Sequence, residues 1–304
     1  MAEAPGKVII SGEHFVVHGA TALAAALETR VRVEATRSDR LTITSRLSDP
    51  AALKPSRRVV ESLYKVRNQE PRVSITIKSD LAEGAGLGSS AATMVAIAGA
   101  VGALEGWGFD NAGLAIAGDA GERLVHGNPS GIDTTAAAMG GVILFTRGKE
   151  PRSVELRKPV TLLVALSGRR RNTGRLISKV GVMKETYPSL FASLCESATL
   201  VSNLCAEALQ KGDALALGLL MTYNHAVLGR AGASNKRLDT LVDLCLSSGC
   251  LGAKLTGAGG GGSVVAVPPP DPKEARAVGQ KLKGKGYDAF FTNIPAAGAR
   301  AWTE

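Results

Sequence analysis

The stretch that most constrains this chain is Gly84-Ala85-Gly86-Leu87-Gly88-Ser89-Ser90-Ala91-Ala92. Before it, Val73 to Lys78 alternates as a strand does; after it, Ala91 to Leu104 has the composition and length of a helix. Three glycines in five positions admit backbone torsions and close approaches that a Cβ forbids. Two hydroxyl residues follow where the helix should begin. Free N–H groups, the positive end of a helix dipole and hydroxyls in one place make an anion site. Two readings stand side by side: a phosphate cradle, or a glycine turn with Ser89 or Ser90 as an ordinary N-cap. The stretch alone does not choose between them.

A strand–loop–helix unit of this kind needs a sheet to sit on. Val8 to Ile10 reads as a short buried strand with Lys7 before it and Glu13-His14 after it. Segments Arg30–Ala35 and Leu41–Ser45 alternate like strands with one wet face. Ser56 to Arg67 reads as a helix, and Asp110 is placed to cap another over Asn111 to Leu124, which carries Glu122. The turn Asn128-Pro129-Ser130-Gly131 follows, and on local grounds Asp133 is an N-cap of a short helix. Strands and helices without repeated βαβ units predict an α+β fold. Charge and proline rise between Glu150 and Pro159, which places a boundary between residues 1–157 and 158–304. Beyond it come a strand over Val160–Leu166 and helices over Ser189–Gln210, Asp213–Leu228 and Asn235–Ser247. A second glycine cluster at 257–262, a strand over Val264–Val267, a helix over Pro272–Lys285 and a strand over Tyr287–Thr292 finish the chain.

Composition removes several classes. A length of 304 residues suits two domains. The net charge of +9 is spread along the chain, and aromatics at 4% are too few for a base-stacking platform. No nucleic-acid partner is expected, and anionic small molecules fit better. No run of eighteen strongly apolar residues and no signal-peptide core is present, so no membrane partner is expected. Cys195, Cys205, Cys245 and Cys250 form no C-x-x-C pair, and no H-E-x-x-H occurs, which argues against zinc. A reducing, cytoplasmic setting is the expectation. Gly257 to Gly262 spells G-x-G-x-x-G, but a strand follows it where a dinucleotide fold needs a helix.

Three clusters in order carry a more specific signal: Pro5-Gly6-Lys7 through Gly12-Glu13-His14-Phe15-Val16-Val17-His18-Gly19, the loop Gly84–Ala92, and Lys254-Leu255-Thr256-Gly257 through Gly262. Together they resemble the three signature motifs of the GHMP kinases. The Glu13-His14 context and Glu122-Arg123-Leu124-Val125-His126-Gly127-Asn128-Pro129-Ser130-Gly131-Ile132-Asp133 resemble mevalonate kinases of the archaeal type within that family. The resemblance covers nearly the whole chain and is weakest at 36–70 and 180–245.

The resemblance implies an N-terminal domain like ribosomal protein S5 domain 2 and a ferredoxin-like C-terminal domain, with ATP between them. The implied reaction is ATP-dependent phosphorylation of the C5 hydroxyl of mevalonate; the alternative is another pathway kinase of the family, acting on phosphomevalonate or at the 3-position. By the same resemblance Gly84, Ala85, Gly86, Leu87, Gly88, Ser89, Ser90 and Ala91 would wrap the ATP phosphates. Ser90 and Glu122 would hold Mg²⁺, with Ser89 as the alternative hydroxyl. Asp133 would take the hydroxyl proton, and Lys7 would pair with it. Glu13, His14, Arg171 and Thr256 would meet the substrate. A homodimer is compatible with this reading. The chain departs from the family at Leu166-Ser167-Gly168, where Asp-Thr-Gly is frequent, and at Ala82, where a proline is common. Neither change removes a group the chemistry needs.

Overall fold

The structure is a computed structural model describing residues 1–45, 53–82, 84–127, 129–168 and 173–303, with side chains outside the description at 124–126 and 173–179. In the first half run β1 (Ala2–Ser11), β2 (Ala22–Arg37), β3 (Thr42–Ser45), α1 (Lys54–Lys65), β4 (Val73–Ser79), α2 (Ser89–Glu105), α3 (Asn111–His126), α4 (Ile132–Met139), β5 (Val142–Phe145) and β6 (Arg152–Ser153). The second half holds β7 (Val160–Leu166), α5 (Thr173–Thr186), α6 (Pro188–Lys211), α7 (Ala214–Arg230), α8 (Lys236–Ser247), β8 (Gly252–Thr256), β9 (Ser263–Val267), α9 (Pro272–Gly284), β10 (Ala289–Ile294) and β11 (Arg300–Ala301).

These strands form two sheets. One has seven strands: the path β11-β1-β2-β4-β3, with β5 paired to β2 and β6 paired to β5. The other has four strands in the order β10-β7-β9-β8, all antiparallel. We propose the 157/158 division on sheet membership up to that point. The chain end then crosses back, because Arg300 and Ala301 pair with Glu3 and Ala2 of β1. One apolar cluster also spans the division, joining Val8, Ile10 and Leu23 to Leu162, Val164 and Val265.

Several elements differ from the sequence expectation for a physical reason. The alanine-rich run at 22–26 begins a 16-residue strand that continues through the predicted segment Arg30–Ala35. Ala22 to Ala25 pair with β5 on one side, while Leu23 to Ala26 pair with β1 on the other, and all are fully buried. Burial between neighbours overrides alanine's helix preference. β1 is ten residues long, and every residue in it is buried, including Glu3 and Lys7. Glu3 is held there by Arg30, Arg32 and Arg300. The sequence expectation includes no helix at α5, although Leu176, Ile177, Val180 and Met183 carry helical spacing. Helix α6 has the length and composition of a membrane span, but Phe191, Ala198, Val201, Cys205 and Leu209 bury one face of it in the core. All four cysteines are unbridged.

Candidate active site

The glycine loop is built from alternating left-handed residues. Gly84, Gly86 and Gly88 have φ of 66°, 86° and 75°. Alternation of this kind turns successive N–H groups to one side, which makes an anion nest. Gly88 is itself the N-cap of α2, and no side chain caps that helix. Neither Ser89 nor Ser90 is therefore the N-cap; both lie in the first turn and are half-buried. The loop is fixed from two sides. Lys7 N donates to Leu87 O at 2.8 Å, and Ser263 Oγ donates to Ala85 O at 2.6 Å.

Lys7 reaches the loop because β1 is irregular where it passes. The β1–β2 register shifts between Pro5 and Lys7 and again between Ile9 and Ser11, and such bulges re-aim side chains. The Lys7 stem then runs over Gly88, where an added Cβ would lie 2.9 Å from Cγ. Its ammonium meets Asp133 Oδ1 at 3.0 Å and donates to Gly86 O at 3.4 Å. Lys7 is 1% exposed and Asp133 28%. The pair is thus dry on the lysine side and open on the carboxylate side. Asp133 is not an N-cap: Gly131 occupies that position with φ 86°, and Asp133 sits in the first turn of α4.

Glu122 on α3 is 3% exposed. Burial pushes its carboxyl up to about 7, Asp133 adds to the rise, and the Ser90 hydrogen bond and Lys7 oppose it. The approach of α3 depends on Gly121, where a Cβ would lie 2.6 Å from Met94 Sδ. The donor set of Ser90 and Glu122 is all oxygen, and the Asp133 carboxylate is near enough to raise the Glu122 carboxyl. Both features fit a hard divalent cation. Among the described residues no group of three or more His, Cys, Asp or Glu is placed to hold a metal ion.

Lys7, Glu13, His14, Glu122, Asp133 and Ala258 line one cleft of about 530 Å³. His14 Nε2 donates to Ala258 O at 2.9 Å, so the first motif touches the second glycine cluster. Two expected substrate contacts are occupied elsewhere. The Thr256 hydroxyl accepts from Ile9 N at 2.9 Å and donates to Ile9 O at 3.1 Å, and the residue is fully buried. It joins β8 to β1. Glu13 is 1% exposed and paired with Lys254 and Asn224. Arg171 lies outside the described residues. Sequence reasoning missed Lys254, Asn224 and Ser263. Lys254 alone stood inside a quoted motif; the other two carry no local signal.

Known proteins place this arrangement. The family model described as "GHMP kinases N terminal domain" matches residues 56–141, and "GHMP kinases C terminal" matches 205–288. A mevalonate kinase of Aeropyrum pernix is 37% identical over 283 residues, 87% of each chain. One from Pyrococcus abyssi is 32% identical over 329 residues, covering 99% of this chain and 97% of the relative. The crystal structure of L. major mevalonate kinase in complex with R-mevalonate superposes with a TM-score of 0.84 at 29% identity, covering 97% of this chain and 96% of that one. A two-domain fold, the three motifs and whole-length relatives agree, and this chain belongs to the GHMP kinase family, among its mevalonate kinases.

Proposed function

We propose that this chain transfers the γ-phosphoryl group of ATP to the C5 hydroxyl of mevalonate, giving 5-phosphomevalonate and ADP. The observation that carries the reading is the Lys7–Asp133 pair, 3.0 Å apart, at the cleft and beside the glycine loop. Whole-length mevalonate kinase relatives support the substrate.

The step needs little covalent help from the protein. The alcohol oxygen forms a bond to phosphorus, the bond from phosphorus to the β,γ-bridging oxygen breaks, and the alcohol proton leaves. In this reading Asp133, at its exposed carboxylate edge, either accepts that proton outright or orients the hydroxyl while the proton is lost late in the transfer. An adjacent ammonium favours the ionised carboxylate. The same Lys7 charge stabilises negative charge on the reacting oxygens, and loop N–H groups hold the phosphates. Ser90 and Glu122 are the residues that would hold Mg²⁺. Bound with ATP, that ion neutralises phosphate charge. Arg171 is proposed as a contact for phosphate or for the substrate's carboxylate. The resemblance that suggested Glu13 and Thr256 as direct contacts is not followed, because their side chains are committed inside the protein.

A panel of alcohols and phosphorylated alcohols with Mg-ATP tests the substrate. Mevalonate should give the highest kcat/KM, and best turnover on 5-phosphomevalonate would overturn the assignment. Asp133→Asn should lower kcat by about 10²-fold or more while leaving ATP affinity within about threefold. Near-normal turnover in that variant removes Asp133 from the chemistry.

A further inference from the structure

The Glu13 carboxylate is paired inside the protein. Oε1 pairs with the Lys254 ammonium, and Oε2 accepts from Asn224 Nδ2 at 3.2 Å. Lys254 is completely buried. An ammonium has three donors, and Lys254 places them on Glu13, on Ile9 O at 3.2 Å and on Leu255 O at 2.5 Å. Those acceptors come from three pieces of the site. Ile9 lies two residues beyond Lys7 on β1. Glu13 precedes His14. Leu255 leads into the glycine cluster through Thr256.

The corner that Lys254 grips is strained. His14 has φ 62° and ψ −46°. Phe15 N donates to Glu13 O at 2.7 Å, which closes a three-residue γ-turn centred on His14. The positive-φ form of that turn is the rare, high-energy form. Such a residue persists only where its surroundings over-determine it, and these outliers gather at binding sites. Here the restraints are on both flanks. Lys254 and Asn224 hold the residue before His14, and Ala258 O holds its ring at 2.9 Å. A carbonyl oxygen only accepts, so Nε2 carries the proton. His14 and Ala258 both line the cleft that holds Asp133.

We propose that Lys254 is a positioning residue: its ion pair with Glu13 fixes the strained His14 turn against the second glycine cluster, and so shapes the wall that meets the alcohol substrate. This rests on the kinase reading above. Burial pulls the Lys254 ammonium below the usual lysine range and Glu13 opposes that shift, as expected for a pair that shields itself from water. A purely structural pair would stabilise the fold and leave substrate affinity alone, since buried ion pairs are often replaceable by neutral groups.

The test uses Lys254→Met and the double variant Glu13→Gln/Lys254→Met, which leaves no uncompensated carboxylate. Steady-state kinetics and nitrogen-15 NMR of the His14 ring are measured on both. Lys254→Met should raise the KM for mevalonate about tenfold or more, with the KM for ATP within about threefold. The double variant should recover the wild-type melting temperature and keep the raised mevalonate KM. In both, the fixed Nε2–H tautomer signal of His14 should be lost. If Lys254→Met does not fold, the double variant decides. Wild-type mevalonate KM with an unaltered His14 signal in the double variant overturns the proposal. A wild-type enzyme inactive on mevalonate sinks the kinase reading instead, and the His14 signal still decides the role of Lys254.

Discussion

Gly88 and Gly106 bound the same helix and share one conformation. Gly88 opens α2 with φ 75° and ψ 20°, and Gly106 closes it with φ 71° and ψ 25°. Alanine at either position should pay a similar left-handed backbone penalty of about 1–2 kcal/mol. Their surroundings differ. A Cβ at Gly106 meets nothing within 4 Å. A Cβ at Gly88 would lie 2.9 Å from Lys7 Cγ, 3.2 Å from Cε and 3.5 Å from Cδ. Carbon pairs settle at about 3.5–4.0 Å, so the Lys7 stem must retreat by roughly 0.5 Å or more. Lys7 is buried, so its stem cannot swing into solvent, and Nζ moves off Asp133 with it. A misplacement of about 1 Å can cost about 10²-fold, so about tenfold is expected for half of that. Urea unfolding and mevalonate turnover would be measured for Gly88→Ala and Gly106→Ala together. Gly106→Ala should lose about 1–2 kcal/mol of stability and Gly88→Ala more, because its methyl also displaces the buried Lys7 stem, and only Gly88→Ala should lose kcat. A loss confined to the KM for ATP would mean that the new methyl obstructs phosphate instead. Equal turnover in the two variants refutes the argument outright.

Two further outcomes follow from buried polar groups. The folded pKa of Glu122, about 7, lies above the ordinary 4.5, so the folded protein binds this proton more tightly than the unfolded chain does. Stability linked to Glu122 is therefore full below pH 4.5 and falls as pH rises to about 7, by about 3 kcal/mol in all. Glu122→Gln should flatten that part of the melting-temperature profile and weaken the extra stabilisation that Mg-ATP gives at pH 8; parallel profiles for variant and wild type would contradict this. Thr256→Val leaves the buried Ile9 N–H without its acceptor, which should cost about 1–3 kcal/mol in urea unfolding. Its mevalonate KM should stay within about threefold of wild type, and a larger rise would return Thr256 to the substrate.

What the sequence made legible was local. A glycine at positive φ is a property of one residue, so the alternation at 84, 86 and 88 could be read as a loop before any fold was known. The Asp110 cap was equally local, and its side chain accepts from Gly113 N as expected. What was hidden depended on partners far away in the chain. Lys7 and Glu3 made β1 look short, because nothing nearby reveals that Asp133, Arg30 and Arg300 neutralise them inside the sheet. Glu13 shows the same limit in the opposite direction. A motif marks it as important, but its partner Lys254 lies 241 positions on, so substrate contact and internal pairing look identical in one dimension. Alanines at 22–26 gave no period at all, since both flanks of the strand are covered.

The glycine loop contains no lysine, and that absence has a structural consequence. In a loop that carries its own lysine, cation and phosphate cradle move as one piece. Here the cation is carried by β1, a strand whose ten residues are all buried. Its alignment with the loop depends on how closely two backbones approach. Gly6 permits that approach: a Cβ there would lie 2.5 Å from Leu81 Cδ2 and 2.9 Å from Leu87 O. The hydrogen bond from Lys7 N to Leu87 O then sets the register. Lys254 and Thr256 hold the same strand at Ile9 from the opposite sheet. One buried strand therefore fixes the Lys7 ammonium, the first glycine loop and the second glycine cluster relative to one another. The loop's glycines can serve backbone geometry alone, because the neighbouring charge is anchored on β1.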